Sequence, residues 1–415
     1  MRPIRSVWVA AAIVLASFAV VAVPVHAVTQ TAPPSLLRAE GTSLVLGRTP
    51  VHMIGFSAYS LATDWSVNHG CGGQYSQAQM NTFFSSLPSH AMVAFSLFQS
   101  AFGIDVATHT INWSPIDRIF STAARYHVHL VPVLADGNGS CDAGQYKDIT
   151  WFQNRFRNKA PVSLSRAVDV PSEVVPYITW VRMVVHRYRM SPALGMWEPI
   201  GEANPLTCVN EPIAVYTKCV GPSSGACDEA ASLASLVHFY TDIGALIRSL
   251  DRFHLINEGL LSGRQCGSLS TDWEVVGANR YIDVLSVHDY YDIDGQSSTS
   301  STPGGVGSSS VVARMQQAAQ LNKPLVDGEF GIQAGGTGCV SLVQRANDTN
   351  AVAHWQLYPP VQWGVPGMAG FMVWTYVPPP FTSTTTSTTP TATEPSCSFS
   401  VMQGDPLIKT LRSLH

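Results

Sequence analysis

Two glutamates follow apolar runs that read as β-strands: Glu202 in LGMWEPIGEANP and Glu329 in KPLVDGEFGI. Each stands where a strand gives way to its loop, so a fold that sets these strands side by side brings two carboxyls into one hollow. Paired carboxyls are what cleavage of a glycosidic bond requires: one stays protonated to release the departing oxygen, while the other attacks or stabilises an oxocarbenium-like carbon. The two roles need different pKa values, raised by burial in the acid and held low by hydrogen-bond donors in the nucleophile. Glu198 shares strand parity with Glu202 and is expected to point inward one layer deeper, as a buried and paired support.

Other acidic and nucleophilic motifs have weaker settings. Asn210-Glu211-Pro212 sits in a cysteine-bracketed loop with no strand before it, whereas Glu258 ends the run His254–Asn257 and suits a loop hydrogen bond or a substrate contact. Asp136-Gly137-Asn138-Gly139 has the composition of an ordinary turn. Asp292-Ile293-Asp294-Gly295 lacks the spaced ligands and terminal Glu of a calcium loop. Ser223 stands in a literal G-x-S-x-G, but between Cys219 and Cys227 and without the strand-turn-helix of a nucleophile elbow. No metal or organic cofactor is expected.

The elements that must position the two glutamates recur along the chain. Short β-rich runs at Val51–Gly55, Met92–Phe98, Val128–Leu134, Leu194–Ile200, His254–Asn257, Ile282–Val287, Pro324–Asp327 and Gly370–Thr375 alternate with helix-length segments whose apolar residues recur every three or four positions. The segment around Thr271–Gly277 is too short to predict a helix. Eight strands with crossover helices predict a closed (β/α)₈ TIM barrel of the α/β class, with its chemistry on the loops after the strands. An open doubly wound sheet is the alternative, but no G-x-G-x-x-G follows the first strand.

Composition sets the surroundings. The chain of 415 residues carries 24 Lys+Arg against 28 Asp+Glu, with 46% hydrophobic and 13% charged residues. That excludes disorder and gives no excess positive charge for gripping nucleic acid. Arg2 and Arg5 precede an apolar run ending at Val25-His26-Ala27, the pattern of an export signal over residues 1–27. A secreted protein without lasting membrane association is expected, an uncleaved N-terminal anchor being the alternative. Export favours disulfides among the eight cysteines (71, 141, 208, 219, 227, 266, 339 and 397), all of which fall after proposed strands, and leaves their pairing open. One barrel domain over residues 38–415, with long disulfide-braced βα-loops and a Thr-rich loop at 382–395, is the expected organisation. A monomer is expected.

The motifs together resemble the retaining β-glycosidases of glycoside hydrolase family 5, nearest its endo-β-mannanase and cellulase-like members. HMIGFSAYSLA resembles that family's first strand, WEPIGEANP its acid/base strand, SVHDYY its H-x-Y run, VDGEFGI its nucleophile strand and FMVWTY its eighth strand. The resemblance implies that Glu202 is the acid/base and Glu329 the nucleophile. It also implies that His288 and Tyr290 line the site, with Tyr290 bonded to the nucleophile, that Trp374 forms the sugar platform, and that Gly201 and Asn204 adjoin the substrate. The implied partner is a β-mannan- or β-glucan-like carbohydrate. Two positions depart from the family pattern. Gly201 replaces an Asn that would bond a substrate 2-hydroxyl, and Ala94 stands where an Arg would keep the nucleophile ionised, leaving that role to Arg264, Arg280 or another base. A non-catalytic glycan-binding barrel is the alternative these departures raise.

Overall fold

The computed structural model describes residues 36–62, 75–99, 104–105, 110–137, 142, 146–158, 175–207, 227–262, 265–290, 311–378 and 397–414. The expected export signal at 1–27 and Thr-rich loop at 382–395 lie outside the described residues.

Eight parallel strands form the centre: β1 (Met53–Ser57), β2 (Met92–Ser96), β3 (His129–Val133), β4 (Met196–Trp197), β5 (Leu255–Ile256), β6 (Leu285–Tyr290), β7 (Leu325–Gly331) and β8 (Gly370–Trp374). Six of them form one sheet in the order β6-β7-β8-β1-β2-β3, and β4 pairs with β5. Parallel bridges Leu130↔Leu194 and Val133↔Glu198 join β3 to the β4 segment, and Asn257↔Val284 joins β5 to β6. The ring therefore closes, as a (β/α)₈ barrel requires. The described helices around it include α1 (Gln77–Ser86), α2 (Ser114–Arg125), α3 (Tyr177–Tyr188), α4 (Glu229–Leu250), α5 (Asp272–Gly277), α6 (Val311–Leu321) and α7 (Leu342–Leu357).

Strand parity divides the core into two layers. Met53, Met92, Ala94, Val131, Met196, Leu255, Val284, Val326 and Met372 fill the barrel interior, while Ile54, Phe56, Val93, Phe95, Leu130, Trp197, Leu285 and Phe371 pack outward against the helices. A three-stranded antiparallel sheet over Leu37–Glu40, Ser43–Leu46 and Thr49–Val51 sends Leu37 and Leu44 into the interior layer. The sequence reading differs here, because it takes Val51 as the start of the first barrel strand. Val51 pairs with Leu44 in the antiparallel sheet, and the single residue His52 separates that sheet from β1.

Cys227 pairs with Cys266 and Cys339 with Cys397. The second bond joins the segment after β7 to the C-terminal segment, where Arg345 also pairs with buried Asp405 at the start of a last helix, α8 (Pro406–Ser413). Both ionic side chains are almost wholly buried, so losing either one would strand the other's charge. Cys71, Cys141, Cys208 and Cys219 lie outside the described residues.

A histidine cluster occupies the N-terminal ends of β2, β3 and β5. His129 stacks on His90 at 5.6 Å between ring centroids, with His127 and His254 nearby. His129 is 6% exposed, and neither of its ring nitrogens has a hydrogen-bond partner among the described residues. Burial, and then the neighbouring histidines, push its pKa down from 6.5 to about 4. The unfolded chain therefore takes up a proton before the folded one does. The contribution of this neutral ring is complete above about pH 6.5 and is lost progressively as the pH falls toward about 4, roughly 3 kcal/mol in all. Denaturant unfolding across pH 4–7.5 should show His129→Leu losing less stability than the wild type over that interval, by roughly 3 kcal/mol. Parallel losses in the two proteins would rule this origin out.

Candidate active site

Glu329 reaches the barrel mouth through a register shift. Along β6 and β7, Val287 pairs with Asp327 but His288 pairs with Glu329, so Gly328 is an extra residue. The same excess appears against β8, where Asp327 pairs with Phe371 and Phe330 with Val373. This β-bulge reverses parity: Asp327 turns outward toward Asp289 and Gln356, and Glu329 turns inward beside His288. A Cβ at position 328 would lie 2.7 Å from Ser286 Oγ and 3.0 Å from His288 Nε2, so any larger residue there would displace these side chains.

Glu202 arrives by a different distortion. Its backbone lies in the left-handed region at φ 51°, where a non-glycine residue is strained and persists only if its surroundings hold it. Its N–H donates to the Gly259 carbonyl at 2.8 Å. Gly259 has φ +66°, and a Cβ on it would lie 2.3 Å from the Ile200 carbonyl and 2.6 Å from Glu198 Oε1. The tight apposition of Gly259 to the Glu202 strand is thus part of what aims Glu202.

His288 stands between the two carboxyls. Its Nδ1–H donates to Glu202 Oε1 at 2.8 Å and lies 3.5 Å from Glu329 Oε2. Tyr290 donates its hydroxyl to Glu329 Oε2, and Ser57 Oγ lies 3.4 Å from Glu329 Oε1. Burial opposes a charge on His288, but Glu329, Glu202 and Glu198 outweigh it and push the pKa up to about 10, so the ring is an imidazolium at neutral pH. Burial also pushes Glu329 up, to about 7, against the lowering effects of His288 and Tyr290. Desolvation and the neighbouring Glu329 charge hold the Tyr290 hydroxyl well above its ordinary value, so it remains a donor.

One ligand atom each from Glu202, His288 and Glu329 lie within 4.8 Å of one another, close enough in principle to share a cation. A cation there would have to displace the proton on His288 Nδ1, so proton and metal would compete for the same position.

The remaining expected site residues are distributed around this centre. Trp374, at the end of β8, is paired in register with Ser57 and stacks on Tyr59 at 4.8 Å and 15°. Gly201 presents no side-chain donor, and a Cβ there would already be 3.3 Å from Val133 Cγ1. Asn204 is 6% exposed, and its Oδ1 accepts the Cys266 N–H at 2.8 Å, which commits that oxygen to the disulfide segment. Ala94 is buried in the interior layer. Arg280 does not take the place of the expected Arg, because its guanidinium lies over the Tyr281 ring. Among the described residues, the cation beside Glu329 is His288. Arg264, Asn210-Glu211-Pro212, Ser223 and Asp292–Gly295 lie outside the described residues.

Glu258 is fully buried and accepts the Ser286 N–H; desolvation pushes its pKa up to about 8 near Lys323 and Arg314, outside the barrel interior. It takes no part in the mouth. Sequence reasoning misses Ser57 and Tyr59. A polar residue two positions before an aromatic at the end of the first strand is the signal that could have pointed to them.

No family model and no curated protein matches this sequence. Solved structures do match. The endo-1,4-β-mannanase from Rhizomucor miehei is similar at 16% identity and a TM-score of 0.57, over 91% of this chain and 97% of that one. The glycoside hydrolase family 5 mannosidase from the same organism gives 14% and 0.58, over 92% and 96%. The endo-β-1,4-mannanase from Thermotoga petrophila gives 14% and 0.57, over 88% and 76%. The chain has a fold of the glycoside hydrolase family 5 type.

Gly259→Ala should cost about 1–3 kcal/mol in denaturant unfolding, because an added methyl meets both a left-handed backbone and two oxygens. A cost below about 0.5 kcal/mol would show that the Glu202 segment is not held in this way.

Proposed function

We propose that this protein is a glycoside hydrolase acting on β-linked poly- or oligosaccharides of the β-mannan or β-glucan type, by double displacement with retention. The observation that carries the reading is the convergence of Glu202 and Glu329 on a single imidazolium, His288. Their approach, with oxygens within 4.8 Å, suits a retaining pair, whose carboxyls stand about 5–5.5 Å apart, better than an inverting pair at about 6.5–9.5 Å.

Glu329 attacks the anomeric carbon as the bond to the departing glycosidic oxygen breaks, and Glu202 delivers its proton to that oxygen. Glu202, now a carboxylate, then removes a proton from water, whose oxygen bonds to the anomeric carbon while the ester to Glu329 breaks. Both glutamates return to their starting forms. Tyr290 and His288 stabilise the carboxylate of Glu329 before attack and after release. Trp374, backed by Tyr59, offers an aromatic face to a sugar. Gly201 provides no bond to the 2-hydroxyl, so recognition there falls to other groups. The two disulfides among the described residues and the apolar leader support work outside the cytoplasm.

A panel of β-mannan, β-glucan and xylan substrates should include one that the purified protein hydrolyses with retained anomeric configuration, as read by NMR of the first product. Glu202→Gln and Glu329→Gln should each lower kcat by at least about 10²–10⁴-fold. The acid limb of kcat/KM should fall near pH 7, where Glu329 gains its proton in the free protein. Glycan binding without turnover, equal in the wild type and Glu329→Gln, would instead identify a non-catalytic glycan-binding barrel.

A further inference from the structure

Beneath the two reacting glutamates lies a third, which the reaction scheme does not use. Glu198 is 4% exposed, and its Oε2 accepts a hydrogen bond from Asn257 Nδ2 at 2.7 Å. Its Oε1 sits 3.6 Å from where a Cβ on Gly201 would be, and 2.6 Å from the same point on Gly259. Gly201 precedes Glu202 in the chain, and Gly259 accepts the Glu202 N–H. The Glu198 carboxyl is therefore wedged under the backbone that aims Glu202, in a place where water screens little of its field.

We infer that Glu198 is a positioning residue whose buried carboxyl, held by Asn257 under the Glu202 backbone, sets the pH range over which Glu329 and His288 keep their working charges. This rests on the glycoside hydrolase reading of the same site. With Glu198 neutral, a protonated Glu202, an ionised Glu329 and a cationic His288 sum to zero. Ionising Glu198 adds one negative charge below them. That charge holds the proton on His288 and opposes ionisation of Glu329.

Glu198 is poised to make this change near neutrality. Burial raises it to about 7, against the lowering pull of His288 and Asn257, while Glu202 adds a further upward push. The other titratable groups facing it are Tyr240 on α4, held neutral by burial, and Glu258, whose own proton burial retains. Neither supplies a compensating cation. Asn257, fully buried at the end of β5, fixes the carboxyl by a donor that a merely space-filling residue would not offer.

The test compares Glu198→Gln with the wild type in two ways. The first is the pH dependence of kcat and KM on the best substrate from the glycan panel. The second is the titration of the His288 ring, followed by heteronuclear NMR in the absence of substrate. Removing the charge should move both limbs of the kcat/KM profile toward acid by about 0.5–1 unit, and lower the His288 titration point by a similar amount. KM should change less than about twofold, since the carboxyl lies beneath the site and does not touch sugar. A uniform loss of kcat with unmoved limbs, or an unchanged His288 titration, would overturn the assignment. If the wild type hydrolyses no glycan, the enzymatic reading fails, while the His288 titration still decides the role of Glu198. Should Glu198→Gln fail to fold, the double variant Glu198→Leu/Asn257→Leu removes the charge without stranding a buried donor and is read in the same way.

Discussion

Among the described residues, one buried cation, the imidazolium of His288, stands between the two glutamates and works against their mutual repulsion. Two ionised carboxyls with oxygens within 4.8 Å of each other would repel by at least about 3 kcal/mol in a medium of effective dielectric 20. Burial of Glu329 adds a desolvation cost. His288 lies 2.8 Å from Glu202 and 3.5 Å from Glu329, so its attraction works against both. It does so without neutralising the pair completely. Burial still leaves Glu329 raised to about 7, above the low value expected of a nucleophile, so its charge changes near neutral pH.

The barrel is distorted where it holds this arrangement. Regular alternation along β7 would turn Gly328 inward and Glu329 outward, and the bulge exchanges them. Regular backbone at position 202 would aim the carboxyl elsewhere, and the left-handed turn pinned by Gly259 redirects it. Each distortion costs energy locally and depends on a glycine with no room for a side chain. Beneath them the interior layer of Met53, Met92, Val131, Met196, Val326 and Met372 is apolar and close-packed, and it supplies the rigidity against which such strain can be held.

Much of this was legible before any coordinates. The strands were visible because each is an apolar run bounded by turn residues, and their alternation with helical periodicity pointed to a closed parallel barrel. Parity placed Glu198 one layer under Glu202, and the structure has it buried on Asn257. What could not be read depends on cross-strand register. A one-residue bulge leaves no mark in periodicity, so Glu329 reads as a strand-end residue when it lies within β7. The cation opposite Glu329 was left to Arg264, Arg280 or another base, and among the described residues it is His288, a contact that only the pairing of His288 with Glu329 across β6 and β7 reveals. The resemblance implies that Asn204 adjoins the substrate, and the contact of its side-chain oxygen with the Cys266 N–H is one that only the packing of the loops reveals. The antiparallel sheet beneath the barrel was missed because its strands are only three or four residues long.

Trapping the covalent intermediate tests the central claim most directly. The protein would be incubated with activated 2-deoxy-2-fluoro glycosides of gluco and manno configuration, then examined by intact-mass and peptide mass spectrometry. A gain of one fluoroglycosyl group on the peptide bearing Glu329, absent from Glu329→Gln, is the predicted result. Turnover of substrate with no adduct, or an ester on any other carboxyl, would contradict it.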